Sequence, residues 1–327
     1  MQVHRDINNL PFFKNAVVTI GTFDGVHTGH QQIIAQLKCE AAAINGETVI
    51  ITFHPHPRKI VSTKKIFILN TLEEKIELLR AKGIDHLIIV PFDESFAQQS
   101  PEDYAKNFLL EKFHPHTVII GYDHRFGKDR KGDYHLLEDY GKQFGFIVKE
   151  IPEHLLHEVI VSSTKIREAL LYANIVEANE YLGYDYFFEG TIVQGNRIGR
   201  ELGYPTANIK VKDEEKLVPG NGIYAVEAGM VGEETYGSQL TTHNPQLLQG
   251  MMSIGIRPTI NGKDRVIEVN IFDFNKDIYG KNLRVYVKHY LREEIKFNSL
   301  DDLKVQLGKD KEETLKLLNV KSPLQGI

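Results

Sequence analysis

The chain is poor in cysteine: Cys39 stands alone among 327 residues. With no partner for it, a disulfide framework and a cysteine-based zinc site are both excluded, and a reducing cytoplasm is the expected setting. Long apolar runs are missing as well, since no stretch approaches the roughly 18 residues that mark a membrane-spanning helix. The opening residues, MQVHRDINNLPFF, have no apolar core of the kind a secretory signal carries. A soluble intracellular protein without a membrane partner is therefore expected. A basic surplus is the third absence. Lys and Arg number 39 against 44 Asp and Glu, a net charge of -5. The basic residues are interspersed rather than blocked, which is not the footprint of a dedicated nucleic-acid binder. That balance leaves room for local phosphate sites.

What is present is ordinary globular composition, 42% hydrophobic and 25% charged over a length that suggests two domains. From Ala16 to about Tyr184 the apolar runs AVVTI, TVIITF, HLIIVPF, TVIIGY and FIVKEI alternate with helical patterns at Gln31 to Ile44 and Thr71 to Lys82. Buried runs separated by helices predict an α/β region with a parallel sheet. Ile33, Ile34, Leu37, Ala41 and Ile44 fall on one face of the first helix, which should pack on that sheet. From Phe187 the texture becomes FFEGTIV, GIYAVEAG, MMSIGI, RVIEVNIFDF and NLRVYVKHYL, punctuated by glycine. Short strands with turns predict a β-barrel or sandwich. A last helix should begin after Ser299 as N-cap, with Leu300, Leu303 and Leu307 on one face and later Leu315 and Leu318. The helical stretch from Thr164 to about Tyr184 is the nearest thing to a linker, and the expected division is 1–184 and 185–327.

The first strand runs into GTFDGVHTGH. Gly21, Gly25 and Gly29 let the backbone turn sharply and approach a ligand, while the following helix points its free N–H groups back at the turn. That geometry suits a phosphate. The standard phosphate loops do not fit, because neither G-x-x-x-x-G-K-[ST] nor G-x-G-x-x-G is present. His27 and His30, three apart at the helix start, can lie on one face and aim two N–H donors at one group. A metal pair is the alternative, but it needs further ligands, and no local spacing ties the histidines of HPHP and HPH to these two.

These residues carry a resemblance. H-x-G-H after a strand and glycine turn is similar to the nucleotidylyltransferase superfamily, and GTFDGVHTGH resembles the adenylyltransferase half of the bacterial bifunctional riboflavin kinase/FAD synthetases. TFHPHP, GYDHRFGKDRKGD, SSTKIREAL, GRELGYPTANI and IEVNIFDF agree in order, so the likeness spans nearly the whole chain. It implies a Rossmann-like N-terminal nucleotidylyltransferase domain and a C-terminal riboflavin-kinase β-barrel with a terminal helix. It also implies phosphorylation of riboflavin by ATP to FMN, then adenylylation of FMN by ATP to FAD and pyrophosphate, with magnesium as cofactor. The partners implied are riboflavin, FMN and ATP, on a monomer or weak homo-oligomer.

The resemblance assigns ATP in the adenylyl step to Gly21, Thr22, Phe23, Asp24, Gly25, His27 and His30, and to Ser162, Ser163, Thr164 and Arg167 of SSTKIREAL. The family often has asparagine where this chain has Thr22. Lys165 and Arg167 lie in a first helical turn, where cations oppose the dipole and an anion is wanted; taken alone, the segment also reads as a capped, solvated helix. FMN, stacked on aromatic rings, is implied at Phe53, Pro57 and Arg58 after the second strand, where Phe53 and Pro57 could offer a flat apolar wall, and at Asp123, Arg125 and Phe126, which follow another strand to the same edge; ordinary loop packing is the plain reading of each. In the second region Gly195, Gly199 and Gly203 space a loop that could wrap an anion. Thr206 and Asn208 alternate onto one face and offer oxygen ligands suited to magnesium. Alternation puts Ile267, Val269 and Ile271 on one face and Glu268 with Asn270 on the other. A solvated strand face is the plain reading, while the resemblance makes Glu268 the base that deprotonates the ribityl hydroxyl and Arg292 a flavin-site residue. The alternatives weighed are an adenylyltransferase for another phosphate acceptor, a flavin-binding regulator without turnover, and a tRNA synthetase, the last disfavoured because no domain remains to read tRNA.

Overall fold

The computed structural model describes residues 1–121, 124–151, 161–195, 198–231, 247–259 and 262–319. The chain forms two compact units, Met1–Ser162 and Ser163–Ile327.

The first unit is a six-stranded sheet of order β1-β4-β3-β2-β5-β6, parallel throughout. Its strands are β1 (Gln2–His4), β2 (Val17–Ile20), β3 (Thr48–His54), β4 (His86–Pro91), β5 (Thr117–Gly121) and β6 (Ile147–Ile151). Five of them coincide with the predicted apolar runs; β1 was not predicted, because three residues at an edge carry no periodic signal. Alternate residues serve opposite faces. Val17, Ile50, Leu87, Ile89 and Ile119 pack with helix α1 (Thr28–Ala43), through Ile34, Leu37 and Ala41, and with α3 (Leu72–Ala81). Val18, Ile20, Ile51, Val90 and Ile120 pack on the other side with Tyr104, Phe108 and Phe113 and with Leu137 of α4 (Tyr134–Phe144). A short helix α2 (Pro57–Val61) lies between β3 and α3. Helix α3 begins in a capping box, in which Glu74 N–H donates to Thr71 Oγ1 at 3.2 Å and Thr71 N–H to Glu74 Oε2 at 2.9 Å. β2 lies between β3 and β5, so the strand order reverses there. Open α/β sheets bind ligands outside the carboxyl ends of the strands at such a point, and the glycine corner follows β2.

The second unit resolves the barrel-or-sandwich alternative. Strands β7 (Phe187–Val193), β8 (Ala207–Val211), β9 (Gly222–Val231), β10 (Leu248–Thr259), β11 (Gly262–Ile271) and β12 (Asn282–Arg292) close a barrel in the order β10-β11-β8-β7-β12-β9. Helices α5 (Ser163–Leu171) and α6 (Ile175–Leu182), read from sequence as a linker, belong to this unit. Asn179 of α6 explains why: its Nδ2 donates to the Val287 carbonyl at 2.9 Å and its Oδ1 accepts from Tyr186 N–H at 2.8 Å. Between β7 and β8 lies the short helix α7 (Ile198–Glu201).

The terminal helix α8 spans Leu300–Leu318 with Ser299 as N-cap, accepting from Asp302 N–H at 3.1 Å. It rests on β9, β10 and β12, yet Leu300 is exposed and the buried members of the helix are Asp310 and Thr314. Asp310 is held by Arg292, whose Nε and Nη2 reach its two oxygens at 2.9 and 2.6 Å, and by Gln306 Nε2 at 2.8 Å. Among the described residues, no helix is long and apolar enough to cross a membrane.

Arg292 neutralises a carboxylate that is itself buried, so removing the arginine leaves an uncompensated charge. Arg292→Leu should lower the stability of the full chain by about 3 kcal/mol; urea denaturation followed by circular dichroism measures it, and an unchanged midpoint contradicts the assignment.

Candidate active site

At the end of β2 the ladder continues one residue into the corner, with Gly21 N–H donating to the Ile51 carbonyl at 3.0 Å. The chain then adopts left-handed backbone at Phe23 (φ 47°), Gly25 (φ 88°) and Val26 (φ 38°). For phenylalanine and a β-branched residue that conformation is strained, and it persists only where the surroundings impose it. Phe23 and Val26 are both buried, at 1% and 0% exposure. Asp24 fastens the loop to the entry of α3: its Oδ1 accepts from Leu69 N–H at 2.9 Å and Asn70 N–H at 3.3 Å. The Thr22 carbonyl accepts from Thr52 Oγ1 at 3.1 Å and from Lys75 Nζ at 2.7 Å. The loop thus uses the main chain of Thr22.

His27 is the N-cap of α1; its Nδ1 accepts from His30 N–H at 3.4 Å. The two imidazoles stack with centroids 3.7 Å apart, and Phe23 lies 4.9 Å from His30. His30 Nδ1 is buried with no hydrogen-bond partner. Burial, then the neighbouring His27 and Lys75, hold the His30 pKa well below the ordinary histidine value. The predicted pair is therefore brought together, with His27 Nδ1 engaged on α1 and His30 neutral at pH 7. No group of three or more His, Cys, Asp or Glu among the described residues is arranged to hold a metal.

The residues expected around FMN divide. Phe53 is 8% exposed and meets Phe92 and Phe96 at 5.4 and 5.5 Å, while Phe126, 4% exposed, stacks on Tyr104 at 5.0 Å. Both rings are members of the core, so the face that Phe53 was expected to share with Pro57 is packed inside the unit. Pro57 opens α2, Arg58 is exposed, and Arg125 pairs with Asp133 at 2.9 Å. Asp123 lies outside the described residues. His124, at the same strand end, has a buried Nε2 without a partner, and burial followed by the charge of Arg130 pushes its pKa down to about 4. Ser163, Thr164 and Arg167 open α5, in the second unit, and Ser162 ends the first.

In the barrel, Glu268 pairs across the strands with Asn208, and Thr206 Oγ1 donates to Glu268 Oε1 at 3.5 Å. Asn270, expected on the solvated face, is buried; its Nδ2 donates to the Pro205 carbonyl at 2.7 Å and so fixes the start of the Thr206–Asn208 segment. Gly195 lies so close to the Asn208 carboxamide that any Cβ would strike it. Gly199 approaches the Tyr204 carbonyl as tightly, and Gly203 turns at φ 83°. Arg292, expected beside the flavin, is committed to Asp310. Sequence reasoning missed Arg257, whose Nη2 lies 3.8 Å from Glu268 Oε2 and whose Nη1 lies 3.0 Å from Glu294 Oε1. It had no signal, being one charge in a strand. Lys75 was also missed, although a lysine among the inward-facing Leu72, Ile76 and Leu79 was visible in the periodicity.

The two units match two family models in turn, FAD synthetase over residues 11–165 and riboflavin kinase over 182–318. The bifunctional riboflavin kinase/FMN adenylyltransferase of Haemophilus influenzae is 36% identical over 314 residues, covering 95% of this chain and 97% of that protein. The chain belongs to the bifunctional riboflavin kinase/FMN adenylyltransferase family. Another such enzyme, from Escherichia coli K12, is 33% identical over 313 residues, covering 95% of this chain and 96% of its own. A crystal structure described as a macrolide-efflux protein from Streptococcus pneumoniae superposes with a TM-score of 0.84 at 29% identity, covering 96% of this chain and 98% of that one. Both halves of the bifunctional family are thus present in one chain.

The depressed histidines make a stability prediction. His30 and His124 bind a proton near pH 6.5 when unfolded but only at lower pH when folded. Their contribution is complete above pH 6.5 and is lost as pH falls below it. With a folded value of about 4, His124 alone should remove about 2 kcal/mol of stability between pH 7 and 5. Urea denaturation at both values measures this, and His124→Gln should shrink the difference.

Proposed function

We propose that the chain phosphorylates riboflavin with ATP to FMN in its barrel unit and adenylylates FMN with a second ATP, giving FAD and pyrophosphate, in its α/β unit. The observation that carries this reading is that each compact unit matches one of the two family models and has a site chemistry suited to that step. The functional division we assign falls near Tyr184, with α5 and α6 packed on the barrel.

The kinase step needs a proton removed from a neutral hydroxyl, and Glu268 is the carboxylate we assign as base. The positive guanidinium of Arg257 faces it at 3.8 Å. The Thr206 hydroxyl donates to Glu268, and Asn208 is the cross-strand neighbour of Glu268. Hard, neutral oxygens of this kind fit magnesium, which takes few protein ligands and completes its shell with phosphate and water. Thr206 and Asn208 would hold it, and when bound it would neutralise phosphate charge. Gly195 keeps Asn208 in place, and Gly199 and Gly203 shape the phosphate loop.

The adenylyl step differs, because the FMN phosphate is already an ionised nucleophile. Charge neutralisation and alignment are what it needs. We assign these to the first N–H groups of α1, to neutral His30 and to His27. Gly21, Phe23 and Gly25 shape the corner, and Asp24 anchors it. Pro57, Arg58, Asp123 and Arg125 are assigned to the flavin side, while Phe53 and Phe126 are core rings. A cytoplasmic setting suits both steps, supported by the one free cysteine, Cys39.

Incubation with riboflavin, ATP and magnesium should yield FMN and then FAD by chromatography; absence of both flavins rejects the reading. Glu268→Gln keeps shape but accepts no proton at neutral pH, so riboflavin phosphorylation should fall about 100- to 10,000-fold. FAD formation from supplied FMN should stay normal, and unimpaired riboflavin conversion would return Glu268 to an ordinary strand position. His30→Ala should cut adenylyl transfer by roughly 100-fold or more while sparing FMN formation. Equal loss of both activities at unchanged melting temperature contradicts two separate sites.

A further inference from the structure

Lys75 is 6% exposed on the inward stripe of α3, where an aliphatic residue would complete the packing. Burying an ammonium is costly unless it is compensated. The compensation here is the Thr22 carbonyl, 2.7 Å from Nζ, and the charge of Asp24. Anchoring that carbonyl does not by itself require a cation, because the neutral hydroxyl of Thr52 donates to the same oxygen at 3.1 Å. What lysine adds is positive charge beneath the glycine corner, in an interior where charge is screened far less than at the surface. We propose that Lys75 is a positioning residue for adenylyl transfer, fixing the corner through the Thr22 carbonyl and setting a positive potential where the triphosphate meets α1.

This inference rests on the assignment of adenylyl transfer to this corner. The titratable groups that feel Lys75 are His30 on α1, with His27 stacked on it, His54 at the end of β3, and Asp24 of the loop. After burial and His27, Lys75 is the next influence holding His30 neutral, so the buried cation of the corner is Lys75 and not the imidazole.

The test uses the full chain with FMN, ATP and magnesium. Lys75→Met should lower adenylyl transfer about 100-fold with a raised KM for ATP, leave riboflavin phosphorylation unchanged, and move the His30-governed limb of the kcat/KM pH profile to higher pH. Lys75→Arg, which retains the charge, should keep that limb at the parent position. If Lys75→Met lowers the melting temperature, the limb positions of the arginine and methionine variants still decide. Coincident limbs overturn the proposal, as does transfer by Lys75→Met equal to that of the parent. A parent chain that makes FMN but no FAD from FMN overturns the assignment of the corner itself, and the role of Lys75 with it.

Discussion

The carbonyl of Thr22 takes hydrogen bonds from Lys75 and from Thr52, and the glycine corner is arranged about that point. Turning sharply at the end of a buried strand leaves main-chain groups without ladder partners, and an unpaired buried carbonyl costs as much as a lost hydrogen bond. The fold meets this cost from below the loop, through a strand residue and a helix residue distant in sequence. The loop's left-handed residues, Phe23 and Val26, are then held by packing, and α1 starts directly after them with His27 as its N-cap.

The barrel solves the same problem independently. There the Pro205 carbonyl accepts from Asn270, buried on the strand that also carries Glu268. One strand therefore both anchors the Pro205 carbonyl before Thr206 and carries Glu268 in register with Asn208. Chemistry that depends on sub-ångström alignment gains from mounting its groups on rigid strands rather than on loop tips.

The electrostatics of the glycine corner and of the barrel strand carrying Glu268 differ. The α/β corner surrounds a neutral, desolvated histidine with a buried lysine and a helix start, an arrangement suited to accepting negative charge. In the barrel, the Glu268 carboxylate faces the Arg257 guanidinium. Arg292, by contrast, is a stability residue in this chain: its bidentate contact with buried Asp310 ties the terminal helix to β12.

Local pattern alone was enough to specify the α/β and β halves, five parallel strands, helices α1 and α3, the cap at Ser299 and the histidine corner. Each depends on periodicity, capping or glycine placement within a few residues, and such signals are written in the chain in order. Barrel closure, edge strand β1 and the attachment of α5 and α6 to the barrel were decided by contacts between distant segments. So were the partners of the charged residues. Asn270 and Glu268 look equivalent on one strand face, yet one is buried on Pro205 and the other meets Thr206 and Arg257. Phe53 and Phe126 look like a ligand wall and are core. Lys75 looks like a helix surface charge and lies beneath the corner. Burial and hydrogen-bond partnership are properties of the assembled interior, and the sequence order of residues does not contain them.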